Sequence, residues 1–595
     1  MQMSEFLHKD SLGPVVPQDM KIELGSEGFL LEGGGRLKEL SIRYETYGEL
    51  NKEADNVIWI CSPLTADAHV AGFYKPDDKK VGWWDALIGK GKAIDTDHFF
   101  VVCSNILGGC KGTTGPASIN PETLKPYGAS FPNITIGDMV QAQKKLADGL
   151  GIKKIFCVIG GSMGGFQAMK WSILYPEEVE RCIIIASSPR FSSQALGFEI
   201  VGRDAIKQDP NFNGGDYYEG EIPAVGLSNA RKIAHLTYLS RVGMEAKFTR
   251  EACKDPNPKE FLMGFPLESY LAYQGAKFVE RFDANSYLHI TYATDTFDLE
   301  TEYGSLEKAF KKTNAKFLNI TLSTDWLFPP HESRKITHAL VNAEKEVTSL
   351  ELDTLFGHDG FLLEVGDLGK AISAFISPDP KLNQHSDTQA IPVFHDTEDF
   401  DLLETAIPNN SRILDLGCGN GDLIERLKIR KNVQGLGVDK NFNSILSCLR
   451  KGVPVIQKDL DEGLKDFGNH SFDFAILNRT LQEVNMPLDL LHEILRVAGK
   501  AVITFPNFGH WSVRAALCRF GRMPKSSELP YEWYNTPNIH LFTLRDFIRM
   551  CESENLTIEK LYFDNDKLFS KILTSIGRTN LGAERVVALV SKKDK

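Results

Sequence analysis

Long uninterrupted apolar runs are missing from this chain: none approaches the ~18 residues a membrane-spanning helix requires. The opening segment, MQMSEFLHKD, has no apolar signal core. Both absences predict a cytoplasmic protein with no membrane partner. Cysteine is scarce as well, ten in 595 residues with no Cys-x-x-Cys pair, far below the density of a disulfide-stapled scaffold. The cysteines read as buried free thiols, and no metal site is assigned. Basic excess is also lacking. Lys and Arg total 67 against 79 Asp and Glu, a net charge of −12, a poor complement to a nucleic-acid backbone. What remains is ordinary globular composition, 42% hydrophobic and 25% charged. At roughly 100–200 residues per domain the chain is too long for one core.

One composition shift divides it. Residues 377–400 are polar, carry three prolines and follow no helical or alternating period, so they read as a linker between domains at 1–376 and 401–595. Both domains alternate β-branched runs with amphipathic stretches, which predicts α/β folds with mainly parallel sheets. The first has strand candidates at 56–62, 98–104, 154–160, 181–187, 316–323 and 347–353. A helix-rich insertion at about 190–315 interrupts them. The second has candidates at 412–417, 433–439, 453–459, 472–478, 500–506 and 585–592.

Between a strand and a helix in the first domain stands Gly160-Gly161-Ser162-Met163-Gly164. A serine on so tight a turn presents its hydroxyl above the sheet edge, and glycines allow the close backbone approach around it. The order nucleophile, acid, histidine then directs the search downstream. Asp325 follows the strand at 316–323, and His358 follows the next strand, in Phe356-Gly357-His358-Asp359-Gly360. A serine hydroxyl is a weak nucleophile until a base takes its proton, so His358 is the base and Asp325 fixes its tautomer. The expected oxyanion donors are the amides of Met163 and Leu64, the latter in the loop after the strand at 56–62. Nothing in this pattern separates a hydrolase from an acyltransferase.

The strings VGWWDALIGKGKAIDTDHFFVVCSNILGGCKGTTGPASINP, GGSMGG, ARKIAHLTYLSR, SYLAYQGAKFVERFDANSYLHIT and GHDGF closely resemble the homoserine O-acetyltransferase (MetX-type) family of the α/β-hydrolase fold. The resemblance spans about residues 15–376 and makes the insertion a helical lid. It implies a ping-pong reaction: Ser162 takes an acetyl group from acetyl-CoA and passes it to the L-homoserine hydroxyl. Arg231 matches the family's arginine for the substrate carboxylate, where a planar fork suits bidentate contact. Asp359 matches the residue that holds the ammonium. Succinyl-CoA users tend to carry arginine two residues after the triad acid; Leu327 stands there and favours acetyl. A homodimer through the insertion and no cofactor for the acyl transfer are further implications. The alternatives are a homoserine O-succinyltransferase and a serine esterase or thioesterase. The oxyanion loop departs from the family, with Ala66 where glycine is usual; were positive φ needed there, the methyl would cost strain.

In the second domain a strand runs into Asp415-Leu416-Gly417-Cys418-Gly419-Asn420-Gly421 and a helix, and later strands end at Asp439 and Asp459. A glycine-rich turn with acids at neighbouring strand ends predicts an S-adenosylmethionine pocket of Asp415, Gly417, Gly419, Asp439 and Asp459. The strings VIQKDLDEGL, NRTLQEV and FPNFGHWSVRAALCRFGRMPKSSELPYEWYNTPNIHLFTLRDF resemble the MetW family over about 400–595. That implies a class I, Rossmann-like methyltransferase fold and an accessory or regulatory part in methionine synthesis, without implying a methyl acceptor. Trp511, Tyr531, Trp533 and Tyr534 either line an acceptor site or, the commoner fate, pack into the core. Asn478-Arg479-Thr480 departs from the serine-glutamine-threonine expected there.

Overall fold

Runs rich in Val and Ile need both faces covered, and parallel strands flanked by helices supply that cover. The computed structural model describes residues 10–251, 264–377, 397–525, 531–564 and 568–593. It divides into two units, Met1–Ile376 and Ser377–Lys595.

The strands of the first unit are β1 (Gln18–Ile22), β2 (Phe29–Leu30), β3 (Arg36–Leu37), β4 (Leu40–Tyr47), β5 (Val57–Cys61), β6 (Phe100–Ser104), β7 (Ile155–Gly161), β8 (Val179–Ile185), β9 (Lys316–Leu322) and β10 (Val347–Leu352). β2 and β3 form a small ladder of their own, and the main sheet runs β1-β4-β6-β5-β7-β8-β9-β10. From β6 onward the neighbours are parallel, so the carboxyl ends of β5, β7, β9 and β10 share one edge. β1 and β4 are antiparallel and were not foreseen, because their half-buried patterns lack a continuous apolar run. β8 begins two residues before its expected start. Between β8 and β9 the described residues include helices Ser193–Lys207, Ala224–Tyr238, Pro266–Val279 and Ala284–Asp295.

In the second unit the strands are β11 (Arg412–Leu416), β12 (Gln434–Asp439), β13 (Val455–Gln457), β14 (Phe472–Asn478), β15 (Ala498–Pro506), β16 (Leu556–Asp564) and β17 (Arg585–Lys592), in the order β13-β12-β11-β14-β15-β17-β16. The first five are parallel; β17 is antiparallel to both neighbours. The order reverses at β11, where the glycine-rich loop begins, and ligands of open α/β sheets bind at such a reversal. Residues 378–396 of the expected linker lie outside the described residues, and helix Thr397–Ala406 begins inside its last four positions.

Nine described cysteines are free, and six of them are buried; Cys110 and Cys418 are half-buried and Cys518 is exposed. Cys253 lies outside the described residues. No helix among the described residues is long and apolar enough to cross a membrane.

Candidate active site

Four sheet-edge turns converge on one cavity of about 650 Å³, lined by Leu64, Thr65, Ser162, Met163, Arg231, Leu327, His358 and Asp359 among others. Ser162 closes β7 at φ 57°, ψ −128° and caps helix Met163–Leu174. That backbone is strained for any residue with a Cβ, and strain of this kind persists only where surrounding structure enforces it. The enforcement is visible in the glycines. A Cβ at Gly160 would lie 2.0 Å from the Gly164 carbonyl oxygen, and one at Gly164 would lie 2.3 Å from that of Cys61. The turn is therefore clamped against the helix on one side and β5 on the other.

The acid and base come from adjacent strands in register, with Leu322 opposite Leu352. Asp325 lies just past β9. Its Oδ1 accepts the amides of Leu327 and Phe328, each at 2.9 Å, leaving Oδ2 to accept from His358 Nδ1 at 2.7 Å. The rings of Phe328, Phe361 and Tyr238 surround the imidazole at 5.3–5.8 Å. Burial pulls the His358 pKa down, but the adjacent Asp325 carboxylate outweighs it, and the net shift is upward. With Nδ1 tied to Asp325, Nε2 is the nitrogen left to take a proton.

Arg231 and Asp359 occupy the same cavity. The Arg231 guanidinium lies over the rings of Phe278 and Tyr238 at 4.8 and 5.4 Å and donates from Nη1 to Thr65 Oγ1 at 3.2 Å. Among the described residues no carboxylate lies within ion-pair distance of it, so its charge is open to a ligand. Arg281, not foreseen, donates to the Thr65 carbonyl at 2.9 Å. Together the two arginines pin the loop that carries the Leu64 amide. Burial raises the Asp359 pKa, against the pull of His358 and Arg231. Leu327 is buried in the wall. Ala66 is absent from the residues with positive φ, so the methyl there carries no left-handed strain.

Further cavity residues escaped the sequence reading. Glu45, buried on β4, accepts from Tyr47 Oη (2.6 Å), Tyr74 Oη (2.8 Å) and His69 Nδ1 (3.1 Å), and His69 and Tyr74 line the cavity. Glu199, on helix Ser193–Lys207, lines it too, with burial pushing its pKa up to about 7. The only available signal was a lone carboxylate within an otherwise inward-facing pattern.

In the second unit Gly417, Gly419 and Gly421 all adopt positive φ, and a Cβ at Gly419 would meet nothing within 4 Å. Asp439 accepts the amides of Gly419 (2.9 Å) and Asn441 (2.8 Å). Asp459 caps the short turn after it and lies 3.8 Å from Lys440. Asp415 is buried with its Oδ1 unpartnered. Burial and the nearby Asp439 charge push its pKa up to about 7. An orphaned carboxylate oxygen beside an open glycine turn suits a cationic, hydroxyl-bearing ligand such as S-adenosylmethionine. The expected aromatic core is not found: Tyr531, Trp533 and Tyr534 are exposed. Trp511 is half-buried and bonds Ser570 Oγ through Nε1 at 3.1 Å. Of the departing tripeptide, Thr480 Oγ1 donates to the Leu416 carbonyl at 3.1 Å and Asn478 Oδ1 accepts from Thr504 at 2.6 Å.

The family model described as "Methionine biosynthesis protein MetW" matches residues 397–590, and that described as "alpha/beta hydrolase fold" matches residues 78–362. The bifunctional methionine biosynthesis protein MetXA/MetW of Rhodopirellula baltica is 42% identical over 556 residues, 90% of this chain and 88% of that protein. Homoserine O-acetyltransferase of Methanococcoides burtonii is 52% identical over 350 residues, 59% of this chain and 72% of that protein. Among solved structures, homoserine O-acetyltransferase from Bacillus anthracis aligns with a TM-score of 0.57 at 31% identity, covering 61% of this chain and 98% of that one. Esterase E22 aligns at 0.56 and 30%, covering 61% and 100%.

Proposed function

The chain belongs to the bifunctional MetXA/MetW family of methionine biosynthesis proteins, and from that premise we propose that its first unit moves the acetyl group of acetyl-CoA onto the L-homoserine hydroxyl through an acyl-Ser162 intermediate. It is a homoserine O-acetyltransferase of the α/β-hydrolase fold with a C-terminal MetW domain. The observation that carries the finer reading is one cavity holding a strained serine, a carboxylate-bound histidine and an arginine with no carboxylate partner among the described residues.

His358 Nε2 takes the Ser162 proton as its oxygen attacks the thioester carbonyl. The amides of Met163 and Leu64 receive the oxyanion, and the protonated histidine returns its proton to the departing CoA thiolate. The acceptor hydroxyl then attacks the acyl-serine with His358 again as base, and Ser162 regains its proton as the ester leaves. Arg231 pairs with the acceptor carboxylate and Asp359 with its ammonium. Leu327 offers a second donor carboxylate no partner, which favours acetyl over succinyl.

In the second unit Asp415, Gly417, Gly419, Asp439 and Asp459 are the residues to hold S-adenosylmethionine, which supplies an electrophilic methyl group when bound. Its role here is read as accessory or regulatory. Exposed apolar side chains on the lid helices, Val201, Val225 and Tyr273 among them, support a homodimer through that region, checked by sedimentation.

Free thiol released from acetyl-CoA tests the acyl-transfer reading. Release that requires L-homoserine, fails with succinyl-CoA and vanishes in Ser162→Ala is the expected result. The likeness to esterase E22 gives the alternative a concrete form: steady release without homoserine makes the protein a thioesterase and removes the roles of Arg231 and Asp359.

A further inference from the structure

Helix Ser193–Lys207 turns one face inward, and the buried residues on it are Ala195, Glu199, Gly202 and Ile206. The spacing is that of an apolar helical stripe, with one carboxylate set into it. Buried carboxylates are rare unless paired, because losing water costs the charged form several kcal/mol. Among the described residues Glu199 has no dedicated cation. Arg203, one turn along, is committed to Asp295 of helix Ala284–Asp295. The hydrogen bond Glu199 receives is a long one, from Tyr287 Oη to Oε2 at 3.4 Å. Its residual exposure opens onto the active-site cavity, whose wall it shares with Arg231, Tyr238, Thr294 and Asp359.

Resting on the acyl-transfer reading above, we propose that Glu199 is a second anion for the acceptor's ammonium and so sets the enzyme's specificity for α-amino acids bearing a side-chain hydroxyl. A zwitterionic acceptor whose carboxylate pairs with Arg231 brings its ammonium beside the same wall, and Glu199 completes with Asp359 a two-carboxylate seat for it. The seat has a chemical logic. Glu199 is desolvated and lies near the Asp295 charge, and Asp359 is desolvated and lies near that of Asp325, so each holds its proton more tightly than usual. A bound ammonium relieves both costs, whereas a neutral alcohol relieves neither. The charged and titratable groups whose charge reaches Glu199 are Arg203 on its own helix, Tyr287 and Asp295 on helix Ala284–Asp295, and Tyr238 on helix Ala224–Tyr238; Arg231 and Asp359 share the cavity wall with it.

The test compares kcat/KM for L-homoserine with that for 4-hydroxybutyrate, which keeps the carboxylate and hydroxyl but lacks the ammonium, using the full chain and acetyl-CoA. The ratio of the two cancels whatever His358 titration contributes to both. In the unaltered protein the ratio should rise between about pH 6 and pH 8 as Glu199 ionises. In Glu199→Gln it should fall about tenfold and lose that rise, the loss of one charge-assisted contact. A ratio independent of pH in the unaltered protein, or unchanged in Glu199→Gln, overturns the proposal and leaves the acyl-transfer reading standing. No homoserine-dependent thiol release in the unaltered protein removes the acyl-transfer reading itself.

Discussion

Asp325 spends one carboxylate oxygen on two backbone amides and the other on His358 Nδ1, so its shape matters as much as its charge. Asparagine in its place keeps the volume, but its oxygen must accept the two backbone amides, so its NH2 faces His358 Nδ1 and favours the unproductive tautomer. Asp325→Asn should lower kcat by about 10³–10⁴-fold with a much smaller change in the homoserine KM, read from steady-state thiol release. Glu199 makes a prediction about stability. Folding raises its pKa from 4.5 to about 7, chiefly by burial. The native state therefore prefers the protonated carboxyl; that contribution is full below about pH 4.5 and lost as pH rises through about 7. Glu199→Gln removes this pH-dependent loss, worth up to ~3 kcal/mol at about 1.4 per unit. Its thermal midpoint, followed by calorimetry from pH 5 to about 8, should fall less steeply than that of the unaltered chain.

At the scale of elements, the turn from β7 into helix Met163–Leu174 is held by contacts no side chain can share. Gly164→Ala would push a methyl to 2.3 Å from the Cys61 carbonyl oxygen, a backbone atom that cannot swing aside. The strand or the helix must move, so we expect loss of thiol release by at least about 10²-fold, since a displacement near 1 Å suffices for that. Circular dichroism should show the fold retained. The helical content of the lid was readable from its few strand signals, and the parallel strands from their apolar runs. The antiparallel β1, β4 and β16 were not, because one face of each pattern mixes polar and apolar residues. Glu45 shows the same difficulty: a glutamate in LSIRYETY reads as solvent-facing by alternation, yet three hydroxyl and imidazole partners hold it inside.

At the scale of the whole molecule two units share one chain, and tethering raises their mutual concentration to about mM for a short flexible connector. If the MetW unit reports on S-adenosylmethionine, adding that ligand should change acetyl transfer by the full chain and leave the 1–376 fragment unaffected. Equal response of both would show the second unit serves some other end. Binding should also carry a proton signature. A cationic ligand favours ionised Asp415, whose pKa burial and Asp439 push up to about 7. Affinity measured by calorimetry should therefore rise as pH passes upward through that value, and Asp415→Asn should flatten the dependence.

The sequence by itself determined the two α/β units, the serine turn and the order of acid and base, because these are written in local patterns: apolar runs, glycine clusters and the residues that follow strand ends. The strand-end acids were singled out by the same local patterns, and Arg231 and Asp359 through resemblance to a known family. Only the tertiary structure decided which buried charges lack partners. Glu199 is unremarkable in its string, nothing in the string around Asp415 shows that one of its oxygens is unpartnered, and the arginine pair on Thr65 is separated from it by more than 160 residues along the chain. Whether a carboxylate is satisfied depends on what distant elements bring to it, and that is a property of packing that no local pattern contains.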